Sequence, residues 1–256
     1  MRSLCLLSLA SLLFLQSCHY NAEEKAEKKA LSEKRDDAAS YNTQLGMGYL
    51  KQGDTPRAKR KLLMAMKLAP DSPEVNGAMA YYLEKTGDTT EAKKYYNKAL
   101  LLAPKSGSSL NNYGTFLCRS GNYKEAEVYF LKAVKDESYV NSAGAYENAG
   151  LCASAIPDYP KAESYFVKAL SQDSRRKQSL YELVSIELKQ NQPKKALAYL
   201  KKHQELVLDN ATFLAMAADA AHKAGKFKLE ADYKDRIAKL NHITDTGAKN
   251  EHVNNG

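Results

Sequence analysis

Small and bulky side chains alternate along this chain on one fixed spacing. Ala58, Ala92 and Ala126 lie 34 residues apart, Ala162 follows after 36, and Ala196 after another 34. Four residues beyond each alanine stands a bulky residue: Leu62, Tyr96, Phe130, Phe166 and Leu200. Seven beyond stands Ala65, Ala99, Ala133 or Ala169, with His203 in the last place. Positions i, i+4 and i+7 share one face of an α-helix, so each set predicts a helix that buries a small–large–small strip. A second helix precedes each one. In the first repeat Leu45, Gly46 and Tyr49 form its packing face, and Gly46 is small enough to admit the following helix. Gly53, Gly87 and Gly121 come five residues before their alanines, where a left-handed residue ends a helix. Asp54 is placed to cap the next helix, with Pro56 in its first turn and Pro70 at its end.

A 34-residue period of paired helices is the mark of tetratricopeptide (TPR) repeats. Windows 39–72, 73–106, 107–140, 143–176, 177–210 and 211–244 tile the chain with two inserted residues. The predicted fold is therefore all-α, a right-handed TPR solenoid of about six helix-turn-helix repeats. Later windows drift. Asn191 replaces the glycine of the fifth and His203 its last alanine, while the sixth keeps Gly225 but has Glu230 before Ala231. The sixth reads as a capping repeat whose outer side meets water. The insertion falls within 138–142, Pro157 and Pro160 predict an unusual turn in the fourth repeat, and the polar tail 245–256 is expected to be disordered.

The first seventeen residues break this pattern. One charge, Arg2, precedes a leucine-rich run that ends at Leu15-Gln16-Ser17-Cys18. The run is shorter than the roughly 20 residues a spanning helix needs, and its order is that of a secretory signal. The processing point resembles a bacterial lipobox, which makes Cys18 the acylated first residue of the mature chain. The alternative is an ordinary signal peptide that contains a cysteine. In lipoproteins an aspartate after the cysteine commonly marks the inner membrane; His19 stands here and favours the outer one. Residues 18–38 then alternate acidic and basic groups with no apolar stripe, which predicts a solvated tether or weak helix.

The formal net charge is +8, or +7 once Arg2 leaves with the leader. In an exported chain this suits an acidic partner or an anionic surface rather than nucleic acid, and a solvated face is the plainer alternative. With Cys5 in the leader and Cys18 acylated, Cys118 and Cys152 remain as an even pair in an oxidising compartment. They fall near the ends of consecutive first helices. The expectation is a disulfide between Cys118 and Cys152 across the shared seam, with two buried thiols as the alternative.

No catalytic constellation is present. His19, His203, His222, His242 and His252 lack metal-ligand spacing, and no phosphate loop or nucleophile elbow appears. The expectation is a non-enzymatic binding protein with no cofactor, no metal and no small-molecule substrate. TPR grooves that grip a C-terminal carboxylate use lysine and asparagine where Thr43, Met47 and Ala78 stand here, so that chemistry is missing. The expected partner-binding positions are Met47, Leu50, Tyr81, Asn111, Asn112, Glu147 and Asn148, with Thr115, Leu151 and Ser185 nearby. Apolar side chains flanked by amides suit a helix or an extended peptide, although several of these positions also serve packing.

Two segments carry a closer likeness, Asn111-Asn-Tyr-Gly-Thr-Phe-Leu-Cys118 and Ala145-Tyr-Glu-Asn-Ala-Gly-Leu-Cys152. With a lipobox, six repeats and a two-residue insertion, the chain resembles the type IV pilus biogenesis/stability lipoproteins, the PilF/PilW group. The resemblance implies an outer-membrane lipoprotein on the periplasmic face. It further implies a pilotin that binds pilus secretin subunits and promotes their localisation and multimerisation. A TPR lipoprotein scaffold for cell-wall or outer-membrane assembly enzymes is the alternative.

Overall fold

Every described residue of the chain lies in a helix or in a turn between helices. The computed structural model describes the backbone of residues 2–253 and the side chains of residues 24–241. The leader 1–17, Cys18 and the tail 245–256 lie outside the residues described with side chains. The helices are α1 (Arg2–Lys51), α2 (Thr55–Leu68), α3 (Pro73–Lys85), α4 (Thr89–Leu102), α5 (Gly107–Arg119), α6 (Tyr123–Ala133) and α7 (Ser142–Ala155). They continue as α8 (Tyr159–Gln172), α9 (Lys177–Lys189), α10 (Pro193–Lys202), α11 (Gln204–Val207), α12 (Ala211–Lys223) and α13 (Phe227–Val253). The fold is an all-α solenoid of paired helices. Contacts divide the chain into two compact units, Met1–Pro104 and Lys105–Gly256.

Within each pair the second helix presses its small–large–small strip into the first. Ala58, Leu62, Ala65, Ala126, Phe130, Ala133, Ala162, Phe166, Ala169 and Ala196 are all fully buried. The first helix yields to the bulky residue. A Cβ on Gly150 would stand 2.6 Å from Phe166 Cε1, and one on Gly46 would stand 2.7 Å from Leu62 Cγ. Burying a Phe or Leu at such a position contributes about 1.5–3 kcal/mol, part of which is lost if the helices separate by a methyl group's width.

The turns follow from the same residues. Gly53 and its counterparts hold positive φ, as does Asn191 at +56°, so asparagine serves where the fifth repeat lacks glycine. Side chains of Asp54, Asp88 and Asp158 accept the backbone N–H groups of Arg57, Glu91 and Lys161 at 3.0–3.3 Å. Just before the insertion Asp136 accepts Gly107 N at 2.7 Å at the start of α5, and within it Val140 is fully exposed.

Among the described residues of the first unit, 24–37 of α1 are exposed and Ala39 is the first that is buried. At the other end α13 exposes most of its described side chains, those of residues 227–241, and α10 is shortened to ten residues by the break at His203. His203 is buried as its position predicts. Its Nδ1 has no hydrogen-bond partner, and Glu205 Oε1 stands 3.8 Å away.

Candidate partner-binding surface

The predicted positions of the first unit lie on α1 and α3. Met47 and Leu50 are half-buried and pack against the cluster of Ala58, Leu62, Ala78, Met79 and Tyr82. Tyr81 is half-buried, and Lys85 Nζ lies 5.4 Å from the centre of its ring. Thr43 is buried and donates its hydroxyl to Ala39 O at 2.8 Å, so the place of a carboxylate-clamp residue is taken by a helix-internal bond. This face is apolar, with a cation at its edge.

In the second unit the predicted residues bond to one another. Asn148 Nδ2 donates to Asn111 Oδ1 at 2.9 Å and lies 3.4 Å from Thr115 Oγ1, whose hydroxyl donates to Asn111 O at 2.8 Å. Asn111 is buried, Asn148 half-buried and Asn112 exposed. Beside them the structure joins Cys118 and Cys152 as a disulfide between α5 and α7, with Cα atoms 5.8 Å apart. Cys152 is buried and Cys118 half-buried.

Glu147 faces the next helix pair. Its Oε1 accepts Arg176 Nη2 at 2.7 Å, and its Oε2 accepts Arg176 Nε at 3.1 Å, Ser179 N at 3.1 Å and Ser179 Oγ at 2.7 Å. Burial alone would raise its pKa. The bonds from Arg176 and Ser179 outweigh that and hold the carboxyl below its ordinary range. Sequence reading missed Arg176 and Ser179, because their link to Glu147 spans 29 and 32 residues. It also missed Tyr181, 41% exposed one turn before Ser185, which stands at the repeat place that Glu147 and Asn111 occupy earlier.

A second glutamate lies deeper in the same unit. Glu187 on α9 is fully buried, and neither of its carboxyl oxygens has a hydrogen-bond partner. Lys195 Nζ approaches to 3.9 Å, and also lies 4.0 Å from Glu163 Oε1, which accepts the Tyr199 hydroxyl at 2.9 Å. Burial, and then the neighbouring Glu163 charge, push Glu187 up to about 7. One helix pair earlier, Glu127 accepts the Tyr165 hydroxyl and Lys161 Nζ, the latter at 3.1 Å, with no buried acid beneath.

Among the described residues no group of His, Cys, Asp and Glu could hold a metal ion, and no helix is long and apolar enough to cross a membrane. The arrangement offers apolar, aromatic and amide surface for another chain.

Family profiles described as tetratricopeptide repeat match residues 73–106 and 95–128. The chain carries tetratricopeptide repeats. The solved structure of Pseudomonas aeruginosa PilF is similar at 28% identity, covering 81% of this chain and 93% of that one, with a TM-score of 0.66. PilW, a widely conserved type IV pilus biogenesis factor, is similar at 25% identity over 80% of this chain and 98% of its own, with a TM-score of 0.64. MamA, at 19% identity and a TM-score of 0.51, shares the fold. No curated protein matches the sequence significantly.

Proposed function

We propose that this TPR chain is an outer-membrane lipoprotein acting as a pilotin in type IV pilus biogenesis. Acylated at Cys18 and held on the periplasmic face, it binds pilus secretin subunits and promotes their localisation and multimerisation. The observation that carries this reading is the likeness to PilF and PilW over 93% and 98% of those chains. The lipobox-like Leu15–Cys18 run, the charged segment before Ala39 and the apolar face of Met47, Leu50 and Tyr81 support it. Asn111, Asn112, Asn148 and Glu147 are the polar part of the same proposal. Asn112 is the exposed member, and the others act by fixing the helices that present it.

A deletion strain tests the function. Heat-resistant secretin multimers and surface pili are expected to fall sharply, and unchanged multimers would favour a scaffold for cell-wall or outer-membrane enzymes instead. Complementation with Leu50→Glu/Tyr81→Glu is expected to fail while circular dichroism stays helical. Complementation with Cys18→Ser is expected to yield an unprocessed or soluble species.

A further inference from the structure

The helix α2 differs from every other second helix of a pair. It contains Arg57, Lys59, Arg60, Lys61 and Lys67 and no acidic residue. Arg57 pairs with the capping Asp54 at 3.3 Å, whereas Lys59, Arg60, Lys61 and Lys67 have no ion-pair partner among the described residues. Opposite its buried strip of Ala58, Leu62 and Ala65 it turns Arg60, Leu63, Met64 and Lys67 to solvent. Leu63 and Met64 are 52% and 50% exposed, a high value for two large apolar side chains in succession. No other second helix combines these features. Outward Val128 of α6 follows Glu125 and Glu127 in the same helix, and α10, also free of acids, has Ala198 at its outward centre.

We propose that the outward face of α2 is a peripheral contact surface for an anionic phospholipid bilayer. Arg60 and Lys67 meet headgroup phosphates, and Leu63 and Met64 reach the acyl boundary. The argument is charge complementarity. Unpaired cations near an anionic surface each gain attraction, and apolar side chains between them gain from leaving water, whereas no acid on the helix opposes approach. A protein partner would need pockets or acidic groups of matching shape; a fluid layer of phosphates needs neither. The surface also lies beside the end of α1 that leads back to Cys18, because Arg35 Nη2 donates to Leu68 O at 3.1 Å. Contact at α2 would fix how the first unit is presented above the membrane. The proposal does not depend on the secretin as partner.

The chain contains no tryptophan, so Met64→Trp introduces a sole indole on this face. The full-length protein is reconstituted into vesicles of phosphatidylethanolamine with phosphatidylglycerol, where its N-terminus holds it at the bilayer whether acylated or uncleaved. Expected are a blue shift and quenching by brominated phosphatidylglycerol, both lost in phosphatidylcholine and in high salt, with Val128→Trp unshifted throughout. Adding Arg60→Ala/Lys67→Ala is expected to lower the docked-to-free ratio about twenty-five-fold, from roughly fivefold per cation. Emission characteristic of water in every vesicle would overturn the proposal, as would protection of the introduced indole only when envelope proteins are added. Loss of docking with secretin multimers intact would leave the proposed pilus role standing, and the reverse result would separate the two the other way.

Discussion

Glu147 and Glu187 belong to the same two neighbouring helix pairs, and they meet opposite fates. Glu147 is partly buried yet has both oxygens bonded to Arg176 and Ser179, so its charge is retained. Glu187 is wholly buried, lacks a hydrogen bond, and faces the carboxylate of Glu163 with one half-exposed lysine for relief. The difference teaches that burial does not decide what a carboxylate does in a solenoid joint. The supply of donors decides it. A short loop brings Arg176 and the backbone N–H of Ser179 to Glu147, whereas Glu187 meets a second acid, Glu163, and the amine of Lys195.

The largest expected effect lies one joint earlier. Cys118→Ser/Cys152→Ser removes a bond closing a loop of 34 residues, and the chain-entropy estimate for such a loop is about 3–4 kcal/mol. The expected result is an unfolding free energy in urea lowered by that amount for the second unit, with Asn148 losing its hold on Asn111. Thiol labelling of denatured, unreduced protein checks the premise, since two reactive cysteines there would mean that the bond is absent.

Glu147→Ala comes next, with about 2–3 kcal/mol expected, because it strands a largely buried Arg176 and uncaps Ser179 N. The pH dependence has a fixed sign. The folded pKa lies below the unfolded value near 4.5, so the carboxylate's contribution is present above that value and is lost as pH falls through the folded pKa. Denaturation curves of the variant and the parent should therefore converge in acid. A constant gap down to low pH would mean that Glu147 acts through packing alone.

The repeats were legible because their chemistry is local. Ala–bulky–Ala at i, i+4 and i+7 needs only a helix, and the glycines facing Leu62 and Phe166 sit at matching places in the repeat. The polar joints were less legible because their partners lie tens of residues apart. Glu147 reads as a groove residue until Arg176 is brought beside it. Glu187 did leave a signal. It occupies the eleventh place of its window, where the others carry Tyr49, Leu83, Leu117, Ala153 and Ala221, so a charge in an apolar column marked the anomaly. The leader and Cys18 rest on sequence pattern alone.

Glu187→Gln reverses the sign seen at Glu147. A carboxyl whose pKa rises from 4.5 to about 7 on folding destabilises the fold progressively as pH climbs between those values, and fully above them. The amide keeps the shape without the charge. Thermal melts should show the variant equal to the parent near pH 5 and about 1–3 kcal/mol more stable at pH 8. A variant less stable than the parent at pH 8 would show that Lys195 compensates the charge.

Lys195→Met is the smallest change and the most specific to the pair. Lys195 Nζ stands 3.9 Å from Glu187 and 4.0 Å from Glu163, but its side chain is 53% exposed, so water and salt weaken both attractions. Its removal should cost about 0–1 kcal/mol at pH 8, where Glu187 is charged, and less near pH 5, where Glu187 holds its proton. The quantity to follow is the ionisation midpoint of Glu187. Taking away the cation that favours ionisation must move that midpoint up, and the pH at which stability begins to level off should move with it. Carboxyl-selective NMR titration of the parent and the variant reads this directly. A midpoint that falls would mean that another donor reaches Glu187, and that the contrast with Glu147 is one of degree rather than of kind.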